Sequence, residues 1–147
     1  MKEPVVEVET TIAADRSTVW KAMTRKNSAM FQGTAVDTDW VVGHPITFTG
    51  EWEGNSFKDK GEIQSFKEPE ELSFTHWSEK SGASDRPESY HRLRYRLTPL
   101  GGKTRVTLSQ YNEGKDTEID AKTKAEFERT WKTMLEGLKK TAEAMDS

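Results

Sequence analysis

The residues best suited to chemistry in this sequence are two histidines and two amides near the ends of predicted strands. His76 lies near the end of a predicted strand, Leu72–Trp77, and His91 lies near the start of the next, while Gln110 and Asn112 lie near the end of the strand after that. If a hairpin turns at Gly101-Gly102, His91 lies beside Asn112, and alternation puts all four side chains on one face. Imidazoles exchange protons near neutral pH. The set could therefore orient a ligand, transfer protons, or simply line a solvated rim.

No metal or nucleophile motif accompanies these residues. The chain has no cysteine, it contains neither HExxH nor GxSxG, and zinc needs three or four well-placed ligands. We therefore expect no metal and no cofactor. A histidine acting as acid or base would need a carboxylate partner, for which Asp59 and Glu88 are candidates. Enzyme activity through His76 or His91 is thus the alternative to simple binding.

Aromatic residues supply the apolar part of the predicted site. Ligand pockets are mostly apolar with a few polar groups, although the same rings would suit an ordinary core. A face that is apolar at one end and polar at the other fits an amphipathic molecule. The predicted ligand-binding residues are Phe31, Trp40, Phe48, Trp52, Phe74, His76, His91, Tyr95, Gln110, Asn112, Trp131 and Leu135.

Alternating apolar residues predict the strands that position these side chains. Val5 to Ile12 forms the first, and the region from Val36 to Phe66 contains a hairpin turning at Gly54-Asn55. That turn predicts three apolar pairs, namely Trp52 with Phe57, Phe48 with Gly61 and Ile46 with Ile63. Gly50 and Gly61 then share the apolar face, where they either leave space for a ligand or mark bulges and bends.

A later hairpin joins Tyr90–Thr98 to Thr104–Tyr111. It predicts the pairs Leu97 with Val106, Tyr95 with Leu108, Leu93 with Gln110, and His91 with Asn112. Three arginines, at positions 92, 94 and 96, then point away from the apolar face. This basic stripe could meet an acidic partner, but a solvated face paired with glutamates is the favoured interpretation.

Helical spacing predicts the remaining elements. Asp15 caps a short helix, and a second short helix or turn covers Lys26 to Phe31. A long helix runs from about Ala121 to Met145, capped by Asp120 or Thr117. Its apolar positions recur every three or four residues, at Phe127, Trp131, Met134, Leu135, Leu138, Ala142 and Met145. One antiparallel sheet covered by one long helix is an α+β architecture, which we expect to form a single domain over residues 1–147.

Composition limits the classes of function. The 147 residues carry a net charge of −3 with both signs interspersed, which gives no electrostatic reason to expect nucleic-acid binding. No apolar run approaches a membrane helix or a signal peptide, so we expect a soluble, cytoplasmic protein without membrane insertion. Five Trp, three Tyr and six Phe supply the core that the scarce aliphatic residues do not. A homodimer is left open.

Five segments in order resemble a known family. They are TTIAADRSTVWKAMT, DTDWVVGHPITFTGEWEG, DKGEI, the run from FTHWSEKSG to LSQYNEG, and WKTMLEGLKK. Together they resemble the AHSA-type family, homologues of the activator of the ninety-kilodalton heat-shock chaperone ATPase, within the START-like or SRPBCC superfamily.

The resemblance implies the helix-grip (START-like, Bet v-like) fold. This fold is a curved antiparallel sheet of about six or seven strands around a long C-terminal helix, with two short helices after the first strand. It also implies a small hydrophobic or lipid-like ligand in a cavity between sheet and helix. The alternatives are an enzyme of the polyketide cyclase/aromatase type and a module that assists a chaperone in the stress response. Fold alone does not choose among them.

Overall fold

The computed structural model describes residues 3–25, 34–52, 54–78, 89–112 and 120–146, with 52 and 146 described through their backbone only. The predicted second short helix at Lys26–Phe31 lies outside these residues, as do the alternative cap Thr117 and the candidate carboxylate Glu88.

Seven strands form one antiparallel sheet in the order β1-β7-β6-β5-β4-β3-β2. The strands are β1 (Val6–Ile12), β2 (Thr34–Asp37), β3 (Pro45–Trp52), β4 (Asn55–Lys67), β5 (Glu71–His76), β6 (His91–Leu100) and β7 (Lys103–Asn112). Every strand except β1 pairs with its neighbour in sequence, so the sheet is a meander that β1 extends beside β7. The predicted architecture is confirmed.

The register of one hairpin is confirmed and that of the other is wrong by two residues. Along β6 and β7, His91 lies opposite Asn112 and Tyr95 opposite Leu108, as predicted. Along β3 and β4, the ladder instead extends to Trp52 opposite Asn55, so Phe48 faces Asp59 and Ile46 faces Gly61. The turn is two residues shorter than predicted, which allows more backbone hydrogen bonds. A shift of two keeps each side chain on its predicted face.

Gly61 lies where two backbones approach closely. A Cβ atom built on this glycine would lie 1.6 Å from the carbonyl oxygen of Thr75 in β5. The expectation that Gly61 leaves space for a ligand is therefore wrong. The irregularity expected here falls two residues later, where the pairing of β4 with β5 shifts between Ile63 and Ser65.

Two helices complete the described fold. Helix α1 (Arg16–Thr24) begins at the predicted cap, where Asp15 accepts a hydrogen bond from the Thr18 backbone N–H at 2.8 Å. Helix α2 (Ala121–Asp146) begins beside Asp120, which accepts from the Thr123 N–H at 2.7 Å. The predicted long helix and its Asp120 cap are confirmed.

Helix α2 lies against β1 and α1. Lys132 Nζ donates to the Glu9 carbonyl oxygen at 2.6 Å, and Glu143 accepts from the Ala13 N–H at 2.8 Å. Trp131, Leu135, Leu138 and Ala142 are buried in the core, whereas Met145 is 40% exposed. Across the described residues, no helix is both long enough and apolar enough to span a membrane.

Two of the three arginines on the outer face of the sheet are bound by neighbouring side chains. Arg94 donates to Glu71 from two nitrogens, at 2.9 and 2.6 Å, and the Arg92 guanidinium lies 4.5 Å from the centre of the Tyr111 ring. The hydrogen bond from Arg94 offsets the burial of Glu71, and the pKa of that carboxyl is lowered. Arg96 alone of the three is exposed. The prediction that this face pairs with glutamate is confirmed for Arg94.

We predict that Gly61→Ala destabilises the fold on the order of 3 kcal/mol, because the added methyl group overlaps the β5 backbone. Gly102→Ala is the matched control: it meets no atom within 4 Å but has a φ of 93°, so it carries only the left-handed conformational cost of about 1–2 kcal/mol. Urea unfolding of both variants measures the difference. Equal losses of unfolding free energy in the two variants would contradict the close approach of the β5 backbone to Gly61.

Candidate functional site

The centre of the candidate site is a pair of histidines on adjacent strands. His76 in β5 lies directly opposite His91 in β6. His76 Nδ1 and His91 Nε2 are 3.0 Å apart, and the ring centres are 5.0 Å apart. The predicted shared face is therefore present in the structure, and the two imidazoles share one hydrogen bond.

Asp59 extends the pair into a chain of three groups. Its Oδ2 lies 3.1 Å from His76 Nε2, and both side chains are largely buried. The β3–β4 register explains this placement, since it puts Asp59 on the inner face opposite Phe48. Asp59 was one of two candidate carboxylates that the sequence could not place. The structure brings it to His76.

His91 is half-buried under the first half of α2. Its ring makes edge contacts with Phe127 and Trp131, at 6.2 and 6.3 Å between ring centres, and those two rings stack on each other. Burial, and then the charge on His76, lowers the pKa of His91 to about 3, while Asp59 acts weakly in the opposite direction. His91 is therefore a neutral imidazole at neutral pH.

The two predicted amides bind each other and the helix. The Trp131 indole N–H donates to Gln110 Oε1 at 2.6 Å, and Gln110 Nε2 donates to Asn112 Oδ1 at 3.1 Å. Gln110 is buried and Asn112 is half-buried. These bonds fix α2 over the polar end of the sheet, so the amides position the helix beside His91.

A continuous row of rings leads from the histidines into the core. Phe48 contacts His76 at 5.4 Å, Phe74 contacts Phe48 at 5.5 Å, and Tyr95 stacks on Phe74 at 6.3 Å between centres. All three aromatic residues are at most 1% exposed. The Tyr95 hydroxyl is buried and has no hydrogen-bond partner in the described protein, and burial raises the pKa of that phenol.

The other predicted site residues are placed differently. Trp40 is half-buried at the opposite end of β4, where it packs on Phe66 at 5.8 Å, and Trp20 of α1 contacts the same ring at 5.2 Å. Leu135 is fully buried. Phe31 and the Trp52 side chain lie outside the described residues. The structure thus brings His76, His91, Phe48, Phe74, Tyr95, Gln110, Asn112 and Trp131 together, and it separates Trp40 from them.

The sequence prediction omitted one residue of this site, Phe127. Its spacing of four residues from Trp131 was visible, and it predicted a helix face without indicating which strand that face covers. Asp59, His76 and His91 form a line rather than a convergent set. In the parts of the chain that the structure describes, no group of three or more His, Asp or Glu side chains could hold a metal ion.

The family described as "Activator of Hsp90 ATPase homolog 1-like protein" (AHSA1) matches residues 13–143. The chain belongs to the AHSA1 family. The prediction from the sequence is therefore confirmed. No curated protein matches this AHSA1-family chain at a significant level.

Solved structures agree with the family assignment. The solution structure of ChR145 from Cytophaga hutchinsonii is 36% identical, with 99% of this chain and 98% of that one covered and a TM-score of 0.77. Ara h 8.0201 is 12% identical, with 92% and 95% covered and a TM-score of 0.68. DynU16, described as a protein of the dynemicin biosynthetic locus, is 16% identical, with 99% and 49% covered and a TM-score of 0.73. The last two share the fold alone.

We predict that Trp131→Phe destabilises the protein by about 1–3 kcal/mol, because Gln110 Oε1 is left buried without its donor. Gln110→Leu combined with Trp131→Phe should recover part of the loss, since neither polar group then remains unpaired. Trp20→Phe controls for lost ring area. Chemical denaturation measures the unfolding free energy of the two single variants, the double variant and the control. If the losses of the two single variants add exactly in the double variant, the Trp131–Gln110 bond does not contribute as proposed.

We also predict that His91 stays neutral as the pH falls from about 8 to about 4. The unfolded chain protonates His91 near its ordinary pKa of about 6.5, whereas the folded chain resists this down to a pKa of about 3. The stability contributed by neutral His91 is therefore present above about pH 6.5 and is lost as the pH falls towards 3.

Nitrogen-15 NMR of the His91 side chain follows its protonation. His91→Gln should reduce the acid destabilisation at about pH 5 by up to about 2 kcal/mol. If the unfolding free energy of this variant falls with decreasing pH as steeply as that of the wild type, His91 is not the group held neutral.

Proposed function

We propose that this protein binds a small, largely apolar or amphipathic molecule between the inner face of its sheet and α2. The apolar body of the ligand would lie along the rings of Phe48, Phe74 and Tyr95. Its polar group would lie towards His91 and the first half of α2.

The observation that carries the proposal is the Tyr95 hydroxyl. A buried hydroxyl without a hydrogen bond costs about 1–3 kcal/mol of stability, which phenylalanine in its place would avoid. Tyr95 is fully buried on the inner face of β6, and its hydroxyl has no partner among the described residues. A bound molecule with a hydrogen-bonding group would supply that partner.

The gradient of polarity supports the same location. The inner-face positions of β5 run from Leu72 through Phe74 to His76, and those of β6 from Leu97 through Tyr95 and Leu93 to His91. The polar ends coincide because the strands are antiparallel neighbours. An apolar surface with a few polar groups at one end is the usual composition of a small-molecule site.

The family and the fold support a ligand of this class. AHSA1-type and Bet v-like folds commonly bind hydrophobic molecules. DynU16, from a biosynthetic locus, has the same fold at 16% identity. An enzyme of the polyketide cyclase/aromatase type is therefore the second candidate, and the Asp59–His76–His91 chain is the observation that favours it.

The chaperone-assisting alternative receives less support. Such a role would use the outer charged face, where Arg94 is bound to Glu71 and Arg92 is stacked on Tyr111. A pull-down against the chaperone at micromolar protein tests this alternative independently of any ligand.

We predict that Tyr95→Phe has opposite effects on stability and on binding. The ligand-free protein should gain about 1 kcal/mol, because an unpaired hydroxyl is removed from the core. Affinity for ligands that bond this hydroxyl should fall by about fivefold to tenfold, which corresponds to one hydrogen bond. Thermal-shift screening of a hydrophobic metabolite library finds the ligands, and isothermal titration measures the loss.

Tyr111→Phe is the matched control, because its hydroxyl lies on the outer face near Arg94. That variant should lose a little stability and bind ligands as the wild type does. If no compound in the library raises the melting temperature of the wild type, the proposed function is wrong.

A further inference from the structure

The two hydrogen bonds that link Asp59, His76 and His91 have a defined donor-to-acceptor direction. An ionised carboxylate only accepts hydrogen bonds, so His76 Nε2 must carry the proton of the 3.1 Å contact. In neutral His76, Nδ1 is then a lone pair, and His91 Nε2 must donate across the 3.0 Å contact. These two bonds leave His91 Nδ1 as an acceptor at the end of the chain.

We propose that Asp59, His76 and His91 form a proton relay that accepts the proton of an acidic hydroxyl group, a phenol or an enol, on the bound molecule. This inference rests on the proposed function, since the hydroxyl belongs to the ligand of that site. His91 contacts the ligand, whereas Asp59 and His76 are positioning residues that act through it.

The transfer conserves protons and charge. The ligand O–H bond breaks and an N–H bond forms at His91 Nδ1, while the His91 Nε2–H bond breaks and an N–H bond forms at His76 Nδ1. His91 ends neutral in its other tautomer. The positive charge ends on His76 beside the Asp59 carboxylate, and the negative charge remains on the ligand oxygen.

The surroundings favour this final position of the charge. His76 lies against an anion, which stabilises an imidazolium. His91 lies against Phe127 and Trp131, and burial keeps its pKa low. His91 therefore passes the proton on to His76.

Other described elements around His91 add no titrating group. Helix α2 presents Phe127 and Trp131 to it, and β7 presents the amide Asn112 opposite it. Lys60, next to Asp59 in β4, lies 5.7 Å over the ring of Trp77. The relay thus has one carboxylate and two imidazoles, which is enough for one transferable proton.

The relay selects one ligand class. A phenol or enol offers the proton that His91 Nδ1 accepts, whereas its methyl ether offers none. A ligand that enters as a carboxylate anion also offers none, and its negative charge meets the lone pair of His91 Nδ1. Neutral hydroxyl compounds should therefore bind better than ethers or fatty-acid anions of similar size.

Nitrogen-15 NMR of the ligand-free protein tests the relay directly. At neutral pH we expect both histidines with Nε2 protonated. On acidification His91 should change from its Nε2–H to its Nδ1–H tautomer while it stays neutral. A first charge on His91, or a His91 that keeps its Nε2 proton throughout, would overturn the proposal.

Titration with 4-nitrophenol and 4-nitroanisole tests the ligand class. Below the pKa of the free phenol, wild type should bind 4-nitrophenol about tenfold tighter than the ether and show the absorption band of the phenolate. Asp59→Asn and His76→Gln should lose both the preference and the band. Asp39→Asn is the matched control, because it removes an exposed Asp–His pair, 2.6 Å from His44, that lies outside the site.

The outcomes separate the two proposals. Equal binding of both probes without a phenolate band would overturn the relay and leave the proposed function standing. A phenolate band that survives in Asp59→Asn would also overturn it. If no library compound binds, the proposed function fails, and the NMR experiment on the free protein still decides the relay.

Discussion

The arrangement of this fold depends on hydrogen bonding among polar groups placed on a buried face. A sheet that carries histidine, aspartate and glutamine towards its helix must give each of them a partner, because an unpaired buried polar group is costly. Gln110 meets the indole of Trp131, and His76 meets both Asp59 and His91. The first bond positions the helix over the sheet, and the second pair of bonds joins three strands at one end.

Tyr95 is the exception to this pattern on the inner face of the described sheet, because its buried hydroxyl has no hydrogen-bond partner. Its neighbours Phe74 and Leu93 are apolar and buried, so a phenylalanine in its place would cost less. Natural proteins tolerate such costs at functional positions. The ring row from His91 to Tyr95 therefore joins two features that a purely structural core does not need, a proton-accepting end and an unpaired hydroxyl.

The two faces of the sheet divide the charged residues between different tasks. On the outer face, Glu71 and Arg94 pair with each other, and Ser65 and Ser73 complete a small network with Glu71. That network is satisfied within the chain and stabilises β4 to β6. On the inner face, Asp59 is the carboxylate that reaches His76, and its partners form a chain that ends at an accepting nitrogen.

Local residue patterns were enough to predict the elements and the faces. Helix periodicity and a capping aspartate defined α2, and the Gly101-Gly102 turn fixed the β6–β7 register, so the residue pattern alone placed His91 beside Asn112. Both signals are local, since they depend on residues within a turn or a few residues apart. Alternation then placed His76 and His91 on one face without fixing their distance.

Which groups are in contact could not be predicted from these local patterns. The β3–β4 ladder closed two residues tighter than its turn signal indicated, and that shift put Asp59, rather than Gly61, opposite Phe48. The β5 backbone occupies the space beside Gly61. Phe127 lies against His91, and the Tyr95 hydroxyl has no described partner. Each of these facts depends on contacts between strands or helices distant in sequence. Periodicity assigns a side chain to a face, and packing between elements decides what it meets there.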